Sequence, residues 1–297
     1  MKIFRAQFSG FCFGVKRAIK MAEEAWLANS GKAIYTLGEL IHNPQIVAEL
    51  KAGGIQSADR ASELKDSIVI IRSHGITKAE KATLVANGNI LIDATCPYVN
   101  RTHELISNMV AENYPVFIFG DKDHPEVIGM LSYGDEQSRV VTGQTDFNGK
   151  QFSKLSLISQ TTQKPEAFTE LASKLLPLCK ELRVFNTICL ATTERQQASG
   201  ALASRADLMI VIGGKNSSNT RQLHSICKTF TICLHIETEA ELDPERFAGV
   251  QTVGLTAGAS TPDEMIIKVY NRIKEINRET DFARSIEQIP LFKEESC

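Results

Sequence analysis

The sequence predicts an α/β protein made of three repeated units with mainly parallel sheets, and three recurring patterns predict it. A strand-like run, a cysteine and a helix-like run follow one another at Cys12, Cys96 and Cys189. A buried-looking strand ends in glycine, with a polar residue four positions later, at Gly38 and His42, Gly120 and His124, and Gly213 and Ser217. A third set of strand ends meets His74, Thr161 with Thr162, and Ser260.

The first set reads "RAQFSGFCFGVKRAIKMAEEA", "NILIDATCPYVNRTHELISNM" and "LRVFNTICLATTERQQASGALA". Glycines on both sides of Cys12, at Gly10 and Gly14, mark a tight turn rather than a packed core. The second set is "IYTLGELIHNPQIVAEL", "VFIFGDKDHPEVIGML" and "LMIVIGGKNSSNTRQL". The third is "IVIIRSHGITKAE", "LSLISQTTQKPEA" and "TVGLTAGASTPDE". Along the chain the order is Cys12, His42, His74, then Cys96, His124, Thr161, then Cys189, Ser217, Ser260, with the cysteines 84 and 93 residues apart. Parallel sheets bind ligands at the carboxyl ends of their strands, where helix N-termini offer N–H groups to anions.

Composition narrows the class. A net charge of -2 and 43% apolar residues describe an ordinary globular chain, with no nucleic-acid or acidic-membrane surface indicated. The start "MKIFRAQFSG" lacks a signal-peptide core, and no unbroken apolar run is long enough to span a bilayer, so a cytoplasmic, reducing setting is expected. Seven cysteines without a secretion signal argue for thiols, metal ligation or catalysis over a disulfide framework.

A single buried cysteine is usually a small hydrophobe, yet three at one structural phase ask for a common purpose. Cys179, Cys227, Cys233 and Cys297 show no such phase and read as structural. Three thiols suit zinc or an iron–sulfur cluster. Zinc sites usually draw two ligands from a short motif, whereas these thiols lie about one domain apart. That spacing favours a polynuclear cluster between domains, and a [4Fe–4S] cluster with three protein ligands leaves one iron open as a Lewis acid. "HPE" at His124 to Glu126 matches part of the zinc deaminase signature, but the required downstream P-C-x-x-C is missing.

"GGKNSSNT", Gly213 to Thr220, resembles a shortened phosphate loop without the G-K-[ST] of a nucleotide site. Small hydroxyls and an amide at a helix start can still cradle an anion, although a polar helix cap is the plainer reading. "HNP", "SHG" and "HPE" place His42, His74 and His124 in strand-end loops, whereas His103, His224 and His235 fall inside regular runs. Glu126 is either a solvated first-turn carboxylate or, with a raised pKa, a proton donor.

The motifs "FCFGVKRAI", "HNPQIV", "SHG", "DATCPYV", "HPEV", "SQTT", "NTIC", "ATTERQ", "GGKNSSNT" and "TAGAST", in this order from about Cys12 to about Pro262, resemble the 4-hydroxy-3-methylbut-2-enyl diphosphate reductase family. The resemblance implies an α/β trefoil of three pseudo-repeated domains around one central [4Fe–4S] cluster per chain. It assigns Cys12, Cys96 and Cys189 to the cluster, and His42, His74, Ser217, Ser218, Asn219 and Ser260 to the diphosphate. His124 and Thr161 would position the substrate and its proton path, with Glu126 giving the proton. The implied reaction is reductive dehydroxylation to isopentenyl and dimethylallyl diphosphates, with the hydroxyl at the open iron. The chain has no flavin or nicotinamide fingerprint, so the resemblance implies an external donor of ferredoxin or flavodoxin type. No nucleic acid or membrane partner is expected.

The expected domains are an N-terminal strand (1–13), three α/β domains (14–95, 96–188, 189–280) and a C-terminal tail (281–297). Two other classes compete: a non-enzymatic iron–sulfur sensor with a diphosphate pocket, and a zinc hydrolase. A sensor has little use for Glu126 beside a multi-residue anion pocket.

Overall fold

The computed structural model describes residues 1–28 and 31–280. Strand β1 (Lys2–Arg5) opens the chain and helix α1 (Phe13–Leu27) follows Cys12. Next come β2 (Ile34–Leu37), α2 (Pro44–Ala52), β3 (Ile55–Ala58), β4 (Ile68–Ile71), α3 (Lys78–Ala86), β5 (Ile90–Asp93) and α4 (Pro97–Ala111). The middle of the chain holds β6 (Val116–Phe119), α5 (Pro125–Leu131), β7 (Arg139–Val141), β8 (Phe152–Ser159), α6 (Pro165–Leu175) and β9 (Cys179–Phe185). The last part holds α7 (Leu190–Ala203), β10 (Leu208–Ile212), α8 (Ser218–Cys227), β11 (Ile232–Ile236), β12 (Thr252–Ala257) and α9 (Asp263–Thr280).

The described strands form three four-stranded parallel sheets, ordered β3-β2-β4-β5, β7-β6-β8-β9 and β1-β12-β10-β11. Numbered from its own first strand, each of the first two runs 2-1-3-4. Read from β11, the third has the same order, with the N-terminal β1 in the fourth place. The repeat expected from the sequence is therefore a repeat of topology, a threefold α/β architecture.

Inner strands read as continuous apolar runs because helices cover both faces of parallel sheets. "VFIF" in β6 and "LMIVI" in β10 are buried at every position, whereas the edge strands β3, "IQSA", and β9, "CKELRVF", are partly exposed. Ile210, fully buried in β10 among Leu208, Ile212, Leu255 and Ile266, anchors one core. Ile210→Val removes one methylene there, so denaturant unfolding should show a loss of about 0.5–1.5 kcal/mol.

Two units separate along the chain. One comprises Met1–Cys12 and the residues from Leu190 onward, and holds the β1-β12-β10-β11 sheet; the other is Phe13–Cys189 with the remaining two sheets. The polar residues fall at strand carboxyl ends as expected, but the sheets group them differently from their order in the chain. His42, His74 and Cys96 follow the strands of one sheet, His124, Thr161 and Cys189 those of the second, and Ser217, Ser260 and Cys12 those of the third. Each cysteine leaves the fourth strand of its sheet, and the helix after it begins the next stretch of chain. The tail expected over 281–297, with Cys297, lies outside the described residues.

Candidate active site

In the Phe13–Cys189 unit, local capping places the histidines. Asn43 caps α2 by accepting from the N–H groups of Gln45 and Ile46, and Pro44 supplies a preset first turn, so His42 stays in the strand-end loop. His124 is itself the cap of α5, its Nδ1 accepting from Glu126 N at 3.2 Å. His74 sits between β4 and the Thr77–Glu80 capping box of α3.

The three rings converge. His42 and His74 stack at 4.2 Å between centroids, and His124 meets them edge-on at 5.3 and 5.5 Å. One ring nitrogen from each lies within 4.8 Å of the others, close enough to grip one ion. The hydrogen bonds decide its sign. Because His124 Nδ1 accepts from Glu126, its proton belongs on Nε2, and an imidazole N–H suits an anion rather than a cation. Burial holds the pKa of His74 well below the usual value, and His42, His124 and Arg72 push it the same way. Its Nδ1 is buried without a hydrogen-bond partner.

Glu126, in the first turn of α5, is 1% exposed. Its Oε1 accepts from Thr161 N at 2.7 Å, and Oε2 lies 2.9 Å from Thr161 Oγ1, which donates to the ionised carboxylate. Burial raises its pKa from 4.5 to about 7, against the opposing pull of those two bonds. The solvated first-turn carboxylate considered from the sequence does not describe this residue. Cys96 and Cys189, two of the three cysteines of the unit, are tied to the same loops: Cys96 N donates to Ser73 O at 3.0 Å, and Cys189 N donates to Thr161 O at 3.1 Å. Both are half-buried thiols.

In the other unit, Cys12 N donates to Ala259 O at 3.1 Å, one residue before Ser260. Ser217 caps α8 by accepting from Thr220 N, and Ser217, Ser218, Asn219 and Ser260 are all buried. Asn219 is the informative one, since both its Oδ1 and its Nδ2 are buried with no partner, as is Thr220 Oγ1. Unsatisfied buried amides are costly, which makes this one a candidate ligand contact. Gly213, at φ +142, admits no side chain: a Cβ there would fall 2.6 Å from Thr261 Oγ1 and 3.0 Å from Thr220 Oγ1. Lys215 bonds Glu241 at 2.7 Å instead of acting as a phosphate-loop lysine.

Several site residues escaped the sequence reading. Glu39 accepts from His42 Nδ1 at 3.3 Å, Arg195 Nη2 donates to Gly10 O at 2.8 Å before Cys12, and Arg17 Nη1 donates to Thr95 O at 3.1 Å before Cys96. Glu39 was within reach, three residues from His42 in "GELIHNP"; the arginines act across 185 and 78 residues and leave no local signal. Among the residues discounted, His235 Nε2 meets Gly213 O at 2.9 Å, and His103 stacks on Tyr133 with its pKa lowered to about 4 by burial.

Parallel sheets whose carboxyl edges carry thiols, clustered imidazoles, a buried carboxyl and an unsatisfied amide define a multi-cysteine α/β enzyme. The match to the LytB protein family extends over residues 3–274, and the chain belongs to that family. Among its relatives, the 4-hydroxy-3-methylbut-2-enyl diphosphate reductase of Campylobacter concisus (strain 13826) is 48% identical over 280 residues, covering 93% of this chain and all of the relative. That of Sulfurovum sp. (strain NBC37-1) is 46% identical, covering 92% and 99%. A solved structure of (E)-4-hydroxy-3-methyl-but-2-enyl diphosphate reductase, described as the terminal enzyme of the non-mevalonate pathway, aligns with TM-score 0.67 at 45% identity, covering 93% of this chain and 100% of the other. The E-1-hydroxy-2-methyl-but-2-enyl-4-diphosphate reductase from Plasmodium falciparum aligns with TM-score 0.85 at 27% identity, covering 99% and 93%.

Proposed function

We propose that this chain is a reductase of 4-hydroxy-3-methylbut-2-enyl diphosphate, removing the allylic hydroxyl with two electrons and two protons to give isopentenyl and dimethylallyl diphosphates and water. The observation that carries the reading is Glu126, a fully buried carboxyl with a pKa near 7, held by Thr161 at the histidine-lined sheet edge.

The donor chemistry fits a [4Fe–4S] cluster. Cys12, Cys96 and Cys189 are half-buried thiols at equivalent strand-to-helix junctions, and soft thiolates are the ligands such a cluster takes. Those three residues would hold it, and when bound it supplies one-electron transfer and a Lewis-acidic iron. The electrons come from an external ferredoxin- or flavodoxin-type protein, and the setting is cytoplasmic. No helix among the described residues is long and apolar enough to cross a membrane.

The chain's own residues bind the anion and manage the proton. His42, His74, Ser217, Ser218, Asn219 and Ser260 supply the donors for the diphosphate, and His124 positions the substrate. In Glu126, the Thr161 N–H reserves Oε1 as an acceptor, so the acid's proton belongs on Oε2, facing the Thr161 hydroxyl. Oε2 and Thr161 Oγ1 then form a two-atom path that delivers this proton to the departing hydroxyl.

Asn219 tests the anion half. Removing a charge-assisted hydrogen bond costs roughly 1.5–3 kcal/mol, so Asn219→Ala should weaken binding of inorganic diphosphate by about 10- to 150-fold. Calorimetric titration measures it, with the visible spectrum unchanged. Equal affinity removes Asn219 from the cradle. Turnover of the substrate by anaerobically prepared protein separates the enzyme from a sensor.

A further inference from the structure

Arg72 leaves the end of β4 and runs beneath two loops of the histidine cluster. Its Nε donates to Gly75 O at 3.1 Å, one residue beyond His74. Its Nη1 occupies the space a side chain at Gly38 would need: Gly38 has φ +69, and a Cβ there would overlap the guanidinium. Gly38 opens the loop that carries Glu39 and His42. One half-buried guanidinium thus touches the turns that set both stacked imidazoles.

The charges around Arg72 are committed elsewhere. Glu80 closes the capping box of α3 through Thr77, and Glu39 faces His42 Nδ1. Burial disfavours the charge on Arg72, and Glu80 and Glu39 oppose that effect; a guanidinium stays protonated under such conditions. Its positive field reaches His74, which is itself held neutral.

We propose that Arg72 is the positioning residue of the His42–His74 half of the anion site: its guanidinium fixes the Gly38 and Gly75 turns and supplies positive potential for a diphosphate there. This rests on the diphosphate reading above. Arg72 makes no contact with substrate in this role. It acts through the loops it holds and through its field, which falls only slowly with distance in a half-buried site.

The test uses the full-length, cluster-loaded protein and inorganic diphosphate as the probe, with Arg72→Gln and Arg72→Lys as variants. Arg72→Gln should weaken diphosphate about 10-fold and raise KM for substrate comparably, with kcat within about twofold. Arg72→Lys keeps the charge and loses the fork, so its affinity should return to within about threefold of the unaltered protein. Melting temperatures report folding separately. Arg72→Gln binding as tightly as the unaltered protein overturns the proposal. Arg72→Lys binding as weakly as Arg72→Gln also overturns it, by making Arg72 a prop without an electrostatic role. Failure of the unaltered protein to bind diphosphate overturns this proposal and the substrate reading together, and is distinguished by that one titration.

Discussion

Glu126→Gln is expected to retain the cluster and bind inorganic diphosphate like the unaltered protein, while losing turnover by about 10²- to 10⁴-fold, the usual worth of a general acid. The substitution keeps shape and one acceptor for Thr161 N but removes the proton of Oε2. Hydroxide is a poor leaving group, so the loss belongs in kcat and not in KM. Single-turnover product formation under a strong chemical reductant measures it without dependence on the donor protein. With a pKa about 7, Glu126 is half protonated near neutrality. The acid form, and with it activity, should decline as pH rises above that value. Stability carries the same signature. The folded value lies above the ordinary 4.5, so the stabilising contribution is complete below pH 4.5 and is lost as pH rises through about 7. The total is of order 3 kcal/mol, and Glu126→Gln should flatten that part of the profile. Full turnover in the variant with its cluster in place would remove Glu126 as the acid.

Cys96→Ser, and equally Cys12→Ser or Cys189→Ser, should abolish stable cluster assembly, and with it all turnover. A serine oxygen is a harder and far less acidic ligand than a thiol. The counterpart changes at Cys179, Cys227, Cys233 and Cys297 should leave iron and sulfide content intact. Cys227 is fully buried in an apolar cluster, Cys233 packs against that cluster, and Cys179 packs against the core under β8. Iron and sulfide analysis of anaerobically purified variants decides the matter, and a full complement in Cys96→Ser removes it as a ligand.

The strand-to-helix junctions were legible because parallel-sheet strands are apolar throughout and end at glycine or a capping residue. Gly38, Gly120 and Gly213 each stand where a strand gives way to a loop, and Asn43, His124 and Ser217 each cap the helix that follows. The approach of His42 to His74 could be guessed from phase alone, since each follows a strand of one sheet at its carboxyl edge, whereas His124 comes from the second sheet. Two things were illegible for physical reasons. The sign of the buried carboxyl's response depends on how deeply α5 is packed, and "HPEV" reads the same at a wet surface. The guanidiniums that hold the loops, Arg17, Arg72 and Arg195, act on backbone carbonyls, which carry no residue identity for a pattern to record.

The place of β1 in the β1-β12-β10-β11 sheet bears on how the protein is made. Lys2 to Arg5 are synthesised 250 residues ahead of Thr252 to Leu255, with which they pair, and Cys12 takes its place against Ala259. At translation speeds of about 5–20 residues per second, the first cysteine waits roughly 12–50 s for its scaffold. The Phe13–Cys189 unit can fold during that interval, with Cys96 and Cys189 tied to their loops by Ser73 and Thr161. Cys12 therefore finds its backbone partner Ala259 only after Cys96 and Cys189 have had time to find theirs, so the order of synthesis seats the three thiols at different times.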